Sequence, residues 1–432
     1  MTRAHRAQSL PYARCMPDGL QGSLEGRRWT TAEPAGVGVN RDAMRRHNIA
    51  TMLRLVHYQT HLTRASLTSQ MGLSRSTIGE LLEQLSDLGI VALLDPPRTP
   101  GYVGRASPDV RLVPESAQAI AVHVGRDLLR AAAIGLGGAV LSHFERPIEG
   151  LHSPEHVADA LIELLGKLTA DAPPEVPLVG LGVGVPGMVG DDGRIRLAPS
   201  LGWSDVPFAA MLERRLPPSL RLSLSNDGEL GALAEHIRGA GAGTEHMVFV
   251  GCDDWGVGAG VISGGAVLRG VGGYAGELGH LIVSPRGRRC RCGGTGCWET
   301  EIGAARVAEA LNLDGQALTS LEAALSGLKG PPAKLRRVGR YLGLGLGNIV
   351  NTLNPEMIVL GGTLRDLYAV VKVDTDAAMA KAALEAPHAQ VRLVLSALGA
   401  DAVLVGAAET AMNTFLADPV GTLTVAHRGP VS

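Results

Sequence analysis

The sequence has few aromatic residues, little net charge and no long apolar run, and each shortage excludes a class of protein. Aromatic residues make up 3% of the 432 residues and hydrophobic residues 45%, so the core has to be largely aliphatic. A formal net charge of -2 means that any nucleic-acid contact must come from a local basic patch. Because no apolar run reaches about 18 residues and no secretion signal is recognisable, we expect no membrane span and a cytoplasmic location.

Cysteines are also few, but three of the five lie within eight residues. They are Cys290, Cys292 and Cys297, and His280 precedes them. Three thiolates and one imidazole form the closed tetrahedral set that holds structural zinc, and the intervening glycines let a short loop bring the sulfurs together. A disulfide and a chance cluster are the alternatives. We predict structural Zn²⁺ at these four residues, where a closed ligand set braces a loop and leaves no position for a reacting water.

The sequence pattern divides the chain into five segments. The first mixes Arg, Pro, Gly and Ser without a period, which predicts disorder. Helical and strand periods begin after it. The predicted segments are a disordered tail at 1–39, a winged helix-turn-helix DNA-binding domain at 40–113, an α/β subdomain at 117–243, a second α/β subdomain with the cysteine loop at 244–415, and a C-terminal tail at 416–432.

The winged helix-turn-helix is predicted from helix spacing, caps and a hairpin. Apolar residues recur at helical spacing over 49–56, Thr63 caps a short second helix, and Ser74 caps a third. Two strands follow, over 90–94 and 110–113, joined by a turn rich in Pro and Gly. Helix, helix, turn, helix and hairpin is the order of a winged helix-turn-helix.

The predicted DNA-binding residues lie at the start of the third helix and in the wing. Short hydroxyls and an arginine at a helix N-terminus suit the major groove, and an arginine in the wing can reach the backbone or the minor groove. Residues 40–113 also contain nine Arg against six acidic residues. The alternative is a three-helix protein–protein module, but the hairpin favours DNA. The predicted contacts are Ser74, Arg75, Ser76, Thr77 and Arg105.

The rest of the chain predicts a duplicated α/β unit. Strands and helices alternate from Ala119 onward. The sequence Gly-Gly-Ala-Val-Leu at Gly137–Leu141 recurs at Gly264–Leu268, each time after a strand, a turn and a strand. Two such halves leave a cleft between them, and clefts at the carboxyl ends of strands bind ligands.

Four stretches carry a resemblance to a known family. They are Leu197–Trp203, Gly273–His280, His280–Glu299 and Asn351–Gly362. Through them the chain resembles the ROK family, which groups sugar-responsive repressors with sugar kinases, from about Asn40 to Ala411. The resemblance implies an α/β fold class, a duplicated actin-like (ribonuclease-H-like) ATPase fold behind the N-terminal winged helix-turn-helix domain.

The resemblance also implies a sugar site. Its residues would be Asn226, Asp227, Glu277, His280 and Glu299. Carboxylates and amides at fixed positions match the vicinal hydroxyls of a sugar, each of which donates and accepts a hydrogen bond. His280 would ligate zinc through one ring nitrogen and bind a hydroxyl through the other. Each residue has a structural alternative: Asp227 as the cap of the next helix, for example, and Glu277 as the partner of an arginine.

The resemblance to sugar kinases fails at the phosphate turns. Kinases of this fold would need Asp-x-Gly-x-Thr after the first strand, where this chain has the stretch His123–Asp127, reading His-Val-Gly-Arg-Asp. The second turn carries Asp253 and Asp254, whose charges repel phosphate. Phosphoryl transfer depends on positioned phosphates and metal, so we expect no enzymatic activity and assign the retained Asp227 to ligand binding.

The sequence therefore predicts a sugar-responsive transcriptional repressor. We expect a homodimer, or a higher even oligomer, on a palindromic operator, because one wing domain contacts only a half-site. The expected effector is a sugar or a sugar phosphate. Three alternatives stay open: an ATP-dependent sugar kinase with a fused DNA-binding domain, a regulator controlled by a protein partner, and a sensor that has lost its ligand.

Overall fold

A computed structural model describes most of the chain. The described residues are 40–59, 61–94, 107–148, 153–171, 173, 176–253, 256–313 and 321–426. The predicted tail at 1–39, the predicted wing contact Arg105 and the carboxylate Asp254 lie outside them. Within these ranges, no helix has the length and apolar character needed to cross a membrane.

The N-terminal part contains three helices and a small sheet, as predicted. Its elements are α1 Arg41–Tyr58, β1 Leu62–Thr63, α2 Arg64–Met71, α3 Arg75–Asp87, β2 Val91–Leu94 and β3 Asp109–Leu112. The strands form an antiparallel sheet in the order β1-β3-β2, in which β2 and β3 pair as the sequence predicted.

Local sequence signals set the helix boundaries in this part. Thr63 and Ser66 form a capping box at the start of α2, with each side chain bound to the other residue's backbone N–H. Gly72 ends α2 with φ 64°, a conformation that glycine adopts without strain. Ser74 then caps α3 by accepting a hydrogen bond from Thr77 N. Both predicted caps are confirmed.

The first α/β half is built on a five-stranded sheet. Its elements are β4 Gln118–Val124, β5 Leu128–Gly135, β6 Val140–Pro147, α4 Pro154–Asp171, β7 Leu178–Val185, β8 Met188–Val189, β9 Ile195–Ala198, β10 Trp203–Val206, α5 Phe208–Glu213, β11 Leu222–Asn226 and α6 Asp227–Arg238. The main sheet has the order β11-β7-β4-β5-β6, with β4, β7 and β11 parallel. Strands β8 to β10 form a separate antiparallel sheet.

The second half repeats this topology. Its elements are β12 Met247–Cys252, β13 Val257–Ser263, β14 Ala266–Val267, α7 Trp298–Ile302, α8 Ala304–Ala310, α9 Leu321–Ser326, α10 Ala333–Leu353, β15 Met357–Gly362, α11 Thr363–Ala382, α12 Glu385–Gln390, β16 Arg392–Leu395, α13 Ala402–Ala417 and α14 Pro419–Ala426. The sheet order β14-β13-β12-β15-β16 matches β6-β5-β4-β7-β11, with the same strand directions. The predicted duplicated α/β fold is confirmed.

The last long helix crosses back to the first half. The prediction places α13 with the second subdomain, yet it packs on β4 and β7 of the first sheet and on α6. The backbones approach so closely that a Cβ on Gly182 of β7 would overlap Ala407 O of α13. The segment predicted as a C-terminal tail also contains a helix, α14. The exact domain boundaries stay a prediction.

One hydrophobic core joins the N-terminal domain to the first half. It contains buried side chains of α1, α2 and α3, such as Met52, Leu67 and Leu82, together with Ile134 of β5 and Phe415 of α13. Burial of this kind stabilises by about 25 cal/mol per Å² of apolar surface. The N-terminal domain is therefore packed against the α/β body, and its position depends on that body.

Candidate functional site

The predicted zinc ligands meet at one point. His280 Nδ1 lies 3.7 Å from Cys290 Sγ, and Cys292 Sγ lies 3.8 Å from Cys297 Sγ. All four ligand atoms lie within 4.8 Å of one another. A zinc–sulfur bond of about 2.3 Å in tetrahedral geometry places two sulfurs about 3.8 Å apart, whereas a disulfide needs about 2.05 Å. The cluster is thus compatible with structural zinc, and these cysteines form no disulfide.

Buried packing holds the cysteine loop in this shape. Trp298, which directly follows Cys297, is fully buried, and its indole N–H donates to Tyr341 O at 2.8 Å. Its ring lies against Gly345 of α10, where any larger residue would collide with it. The loop is therefore anchored to the second half at one end, and the four predicted zinc ligands gather at the other.

The structure brings all five predicted sugar-binding residues to one cavity. They line it together with Pro186, Gly187, Ser200, Asp253 and Arg291. Asn226 and Asp227 come from the junction of β11 and α6, and Glu299 comes from α7. Glu277 and His280 come from a short 3-10 turn before the cysteine loop. The cavity lies between the two halves, as the duplication predicted.

The residue that caps the start of α6 is Asn226. The sequence had offered Asp227 as that cap, in the alternative to sugar binding. Asn226 Oδ1 accepts from Glu229 N at 3.1 Å, and its Nδ2 donates to Gly187 O at 2.9 Å. A carboxamide keeps a second N–H and a second lone pair beyond these two bonds. Asn226 is thereby held rigidly while part of its hydrogen-bonding capacity faces the cavity.

Asp227 is fixed by close backbone packing. Its Oδ1 accepts from Gly228 N at 2.7 Å. A Cβ on Gly228 would overlap the backbone of Ala259 in β13, and a Cβ on Gly258 would lie 3.1 Å from Asp227 Oδ1. Two glycines therefore allow the start of α6 to press against β13 and to carry the carboxylate into the cleft.

The cleft disfavours ionised carboxylates. Burial and the nearby Asp253 raise the pKa of Asp227 well above its usual value. Burial also raises the pKa of Glu277, and the charge of Glu299 adds to this while His280 opposes it. Buried carboxylates without enough donors are costly, so a ligand that presents hydroxyl donors would relieve this site.

His280 and Glu299 connect the cleft to the metal cluster. His280 turns Nδ1 toward Cys290, while its Nε2 lies 3.8 Å from Glu277 Oε2. Glu299 Oε2 accepts from Val257 N at 3.2 Å, and its Oε1 lies 3.5 Å from Cys290 Sγ. Glu277 thus has a histidine beside it and not the arginine of the alternative. His280 and Glu299 therefore each place one polar atom near Cys290 and the other near a residue that lines the cleft.

Four of the five predicted DNA contacts lie together at the start of α3. Ser74 Oγ lies 2.8 Å from Ser76 Oγ and 2.9 Å from Thr77 Oγ1, so the hydroxyls form one network. Arg64 of α2 donates to Arg75 O at 2.9 Å. Ser74, Arg75 and Ser76 are exposed. This is an accessible, pre-organised helix N-terminus.

A buried polar cluster that sequence reasoning missed joins α1 to the α/β body. Glu409 of α13 accepts from His57 Nε2 at 2.9 Å and from Arg238 Nε at 2.5 Å. Arg238 Nη1 also donates to His57 O at 3.3 Å, and His57 Nδ1 accepts from Gly137 N at 3.0 Å. His57 and Glu409 are each 2% exposed. A buried charge is costly unless it is paired, and here each group has partners.

Comparison with known proteins places this geometry in context. The ROK family model matches residues 119–414. The xylose repressor of Bacillus subtilis (strain 168) is 25% identical over 374 residues, covering 85% of this chain and 96% of the repressor. The glucokinase of Halalkalibacterium halodurans is 33% identical over 267 residues, covering 56% of this chain and 79% of the kinase. A solved ROK family transcriptional regulator, a homologue of the E. coli MLC protein, gives a TM-score of 0.70 at 23% identity, covering 89% of this chain and 99% of that one.

Proposed function

Because the chain belongs to the ROK family, we propose that it is a DNA-binding transcriptional repressor of carbohydrate metabolism genes whose effector is a sugar or a sugar derivative. Helix α6 carries this proposal. Its first residue, Asp227, lines the cleft, and its last, Arg238, binds His57 of the N-terminal domain. The relatives support a regulator, because the repressor aligns over 85% of the chain and the glucokinase over 56%.

The sugar would bind through its vicinal hydroxyls. Asp227, Glu277 and Glu299 offer acceptors, and Asn226 offers an N–H donor beside them. A sugar that lacks one of these hydroxyls would leave a buried carboxylate without a donor, which costs about 1–3 kcal/mol. The site therefore selects for a polyhydroxylated ligand.

Zinc would act as a structural brace at His280, Cys290, Cys292 and Cys297. A closed set of four protein ligands leaves no position for water, so the ion supplies rigidity and no chemistry. The consequence for the cleft comes through His280 and Glu299, because their positions depend on the loop that the cluster closes. We expect the sugar response to depend on this cluster more than DNA binding does.

Helix α6 supplies a direct route from the cleft to the DNA-binding domain. Twelve residues of helix span about 18 Å. A sugar that closes the cleft around Asp227 would shift this helix as a unit, and Arg238 would transmit the shift to His57 of α1. Coupling requires that the sugar bind one cleft geometry more tightly than the other.

DNA would bind at the start of α3 and at the wing. Ser74, Arg75, Ser76 and Thr77 form the face that enters the major groove, and Arg105 reaches the backbone or the minor groove. One such domain contacts one half-site, so two copies of the chain would bind a palindromic operator. The effector would act by tilting the two domains out of register with the half-sites.

Kinase activity is the second candidate, because the glucokinase is 33% identical to the matched part of this chain. Asp227 lies where a general base for a sugar hydroxyl would be needed. His123, however, replaces the first carboxylate of the phosphate turn, and Asp253 adds negative charge to the second. We therefore propose that the chain binds sugar without phosphorylating it. ATP turnover with any hexose would overturn this.

A gel-shift titration on the chain's own promoter DNA tests the function. A panel of free and phosphorylated sugars should contain one that releases the DNA, and Asn226→Ala should bind DNA normally and ignore that sugar. Asn351→Ala, on the exposed surface of α10, is the matched control and should respond like wild type. Release by a protein partner alone, or binding to no promoter fragment, would contradict the proposal.

A further inference from the structure

A second group of side chains that could bind a metal ion lies next to the proposed sugar site. His123 is the second-last residue of β4, Asp227 begins α6, and Asp253 follows β12. One ligand atom from each lies within 4.8 Å of the others. The three side chains line one cavity, which adjoins the proposed sugar site because Asp227 and Asp253 line both.

His123 is the independent sign of a ligand. It is 8% exposed, and its Nε2 has no hydrogen-bond partner among the described residues. The nearest carboxylate oxygen, Asp227 Oδ2, lies 3.9 Å away, beyond hydrogen-bonding distance. Leaving a buried polar atom unpaired costs about 1–3 kcal/mol. The nitrogen points at Asp227 across a gap.

The gap fits an ion. Nitrogen and oxygen ligands bind transition metals at about 2.0–2.2 Å, which places neighbouring ligand atoms roughly 3–3.5 Å apart. The observed separation of 3.9 Å therefore needs only a small contraction.

The charge of the cluster also favours a cation. Asp227 and Asp253 bring two carboxyl groups into one partly buried space, and their mutual repulsion adds to burial in raising the pKa of Asp227. Arg130 lines the same cavity, but its Nε lies 3.4 Å from Glu145 Oε1, so its charge is already shared. A divalent ion between the carboxylates would balance both of them.

We propose that His123, Asp227 and Asp253 bind a divalent first-row transition metal ion, Mn²⁺ or Zn²⁺, between the sugar cavity and its neighbour. One imidazole and two carboxylates suit these ions, whereas an all-oxygen set would suit Mg²⁺. Three protein ligands leave coordination positions open toward the cavity. On the proposed sugar site, a hydroxyl of the effector would fill one of them. The ion site itself does not depend on that function.

Mn²⁺ binding to the full-length protein tests the site. The chain is stripped of metal, reloaded with one equivalent of Zn²⁺ for the cysteine cluster, and titrated with Mn²⁺ while free Mn²⁺ is followed by electron paramagnetic resonance. Wild type should bind one Mn²⁺ per chain. Loss of an outer-shell partner typically weakens metal binding about 10–100-fold, so loss of a ligand in His123→Ala or Asp253→Asn should weaken it at least as much.

The controls separate this site from the zinc cluster and from the proposed function. His143→Ala removes an exposed histidine that also lies near a carboxylate, Asp401, and should leave Mn²⁺ binding unchanged. Cys292→Ser should lose one zinc and keep the Mn²⁺ site. Asp253→Asn covers the case that His123→Ala fails to fold. Absence of saturable Mn²⁺ binding, or equal binding by wild type and both variants, overturns the proposal whether or not any sugar or DNA binds.

Discussion

The two ends of α6 differ in how completely their polar groups are paired. At its start, burial and then the nearby Asp253 raise the pKa of Asp227, which lines an open cavity. At its end, Arg238 shares a buried cluster with His57 and Glu409 in which the opposite charges are paired. We call the first the open end, because it lines the proposed sugar cavity, and the second the locked end, because Arg238 is hydrogen-bonded to His57 of the N-terminal domain. Helix α6 thus joins the cleft, at Asp227, to the N-terminal domain, at Arg238.

The largest expected effect is at the locked end. Glu409→Gln leaves the Arg238 charge buried without its carboxylate, and breaking such a pair costs about 3–5 kcal/mol. We expect a corresponding fall in the free energy of unfolding, measured in urea, together with sugar binding that no longer releases DNA.

The matched control is Glu235→Gln, because Glu235 is a buried glutamate of α6 itself, whereas Glu409 belongs to α13. Glu235 binds Ser396 Oγ and nearby backbone N–H groups, and its hydrogen bonds among the described residues all go to α6, its C-terminal turn and the segment after β16. The Glu235→Gln variant should have a lower free energy of unfolding, and the sugar should still release it from DNA. Equal loss of response in both variants would show that the locked end has no special part in coupling.

The next effect is at the open end. A ligand at one hundred times its Kd stabilises a protein by about 2.7 kcal/mol, and Asn226→Ala should remove that stabilisation while leaving DNA affinity intact. Thermal shift with and without the sugar measures it. An unchanged shift would place the sugar elsewhere.

Disruption of the predicted zinc cluster should have a smaller effect on sugar binding at the open end of α6. Cys292→Ser removes one of the four predicted zinc ligands, and we expect the loop that positions His280 and Glu299 to loosen. We expect effector affinity to fall about tenfold, comparable with loss of an outer-shell partner at a metal site. Calorimetric titration measures this affinity, with Cys15→Ser, at a cysteine of the N-terminal segment far from the cluster in sequence, as the control. Full effector affinity in a zinc-depleted variant would separate the cleft from the cluster.

The smallest effect is the pH dependence of the locked end. Burial by itself would raise the pKa of Glu409, but the hydrogen bond from His57 and the charge of Arg238 outweigh it and lower the pKa below 4.5. The folded protein then binds fewer protons than the unfolded one, so this stabilisation is complete above about pH 4.5 and is lost as pH falls through the folded-state pKa. The difference in thermal midpoint between wild type and Glu409→Gln should narrow below about pH 4.5. A constant difference down to about pH 3 would contradict this assignment.

More of the cleft could be predicted from the sequence than of the buried cluster formed by His57, Arg238 and Glu409. Asn226, Asp227 and Glu277 stand at strand ends and in a recognisable motif, and such positions signal a site along the chain itself. His57 and Glu409 carry no such signal, because they are 352 positions apart and each looks like an ordinary helix residue. His123 was predicted only as a departure from a kinase turn. Its place beside Asp227 and Asp253 appears only when the two sheets are assembled.

Sequence alone determined the local features of this protein: the caps at Thr63 and Ser74, the repeated strand pattern of two halves, and the spacing that collects three cysteines and a histidine. These depend on neighbours a few residues away, so their physical causes are contained in short windows. Tertiary structure decided that α13 returns to the first sheet, that α6 joins the cleft to α1, and that Glu409 meets Arg238. Such contacts arise from packing between segments that are distant in sequence, and a charged group buried there is strongly destabilising unless it is paired.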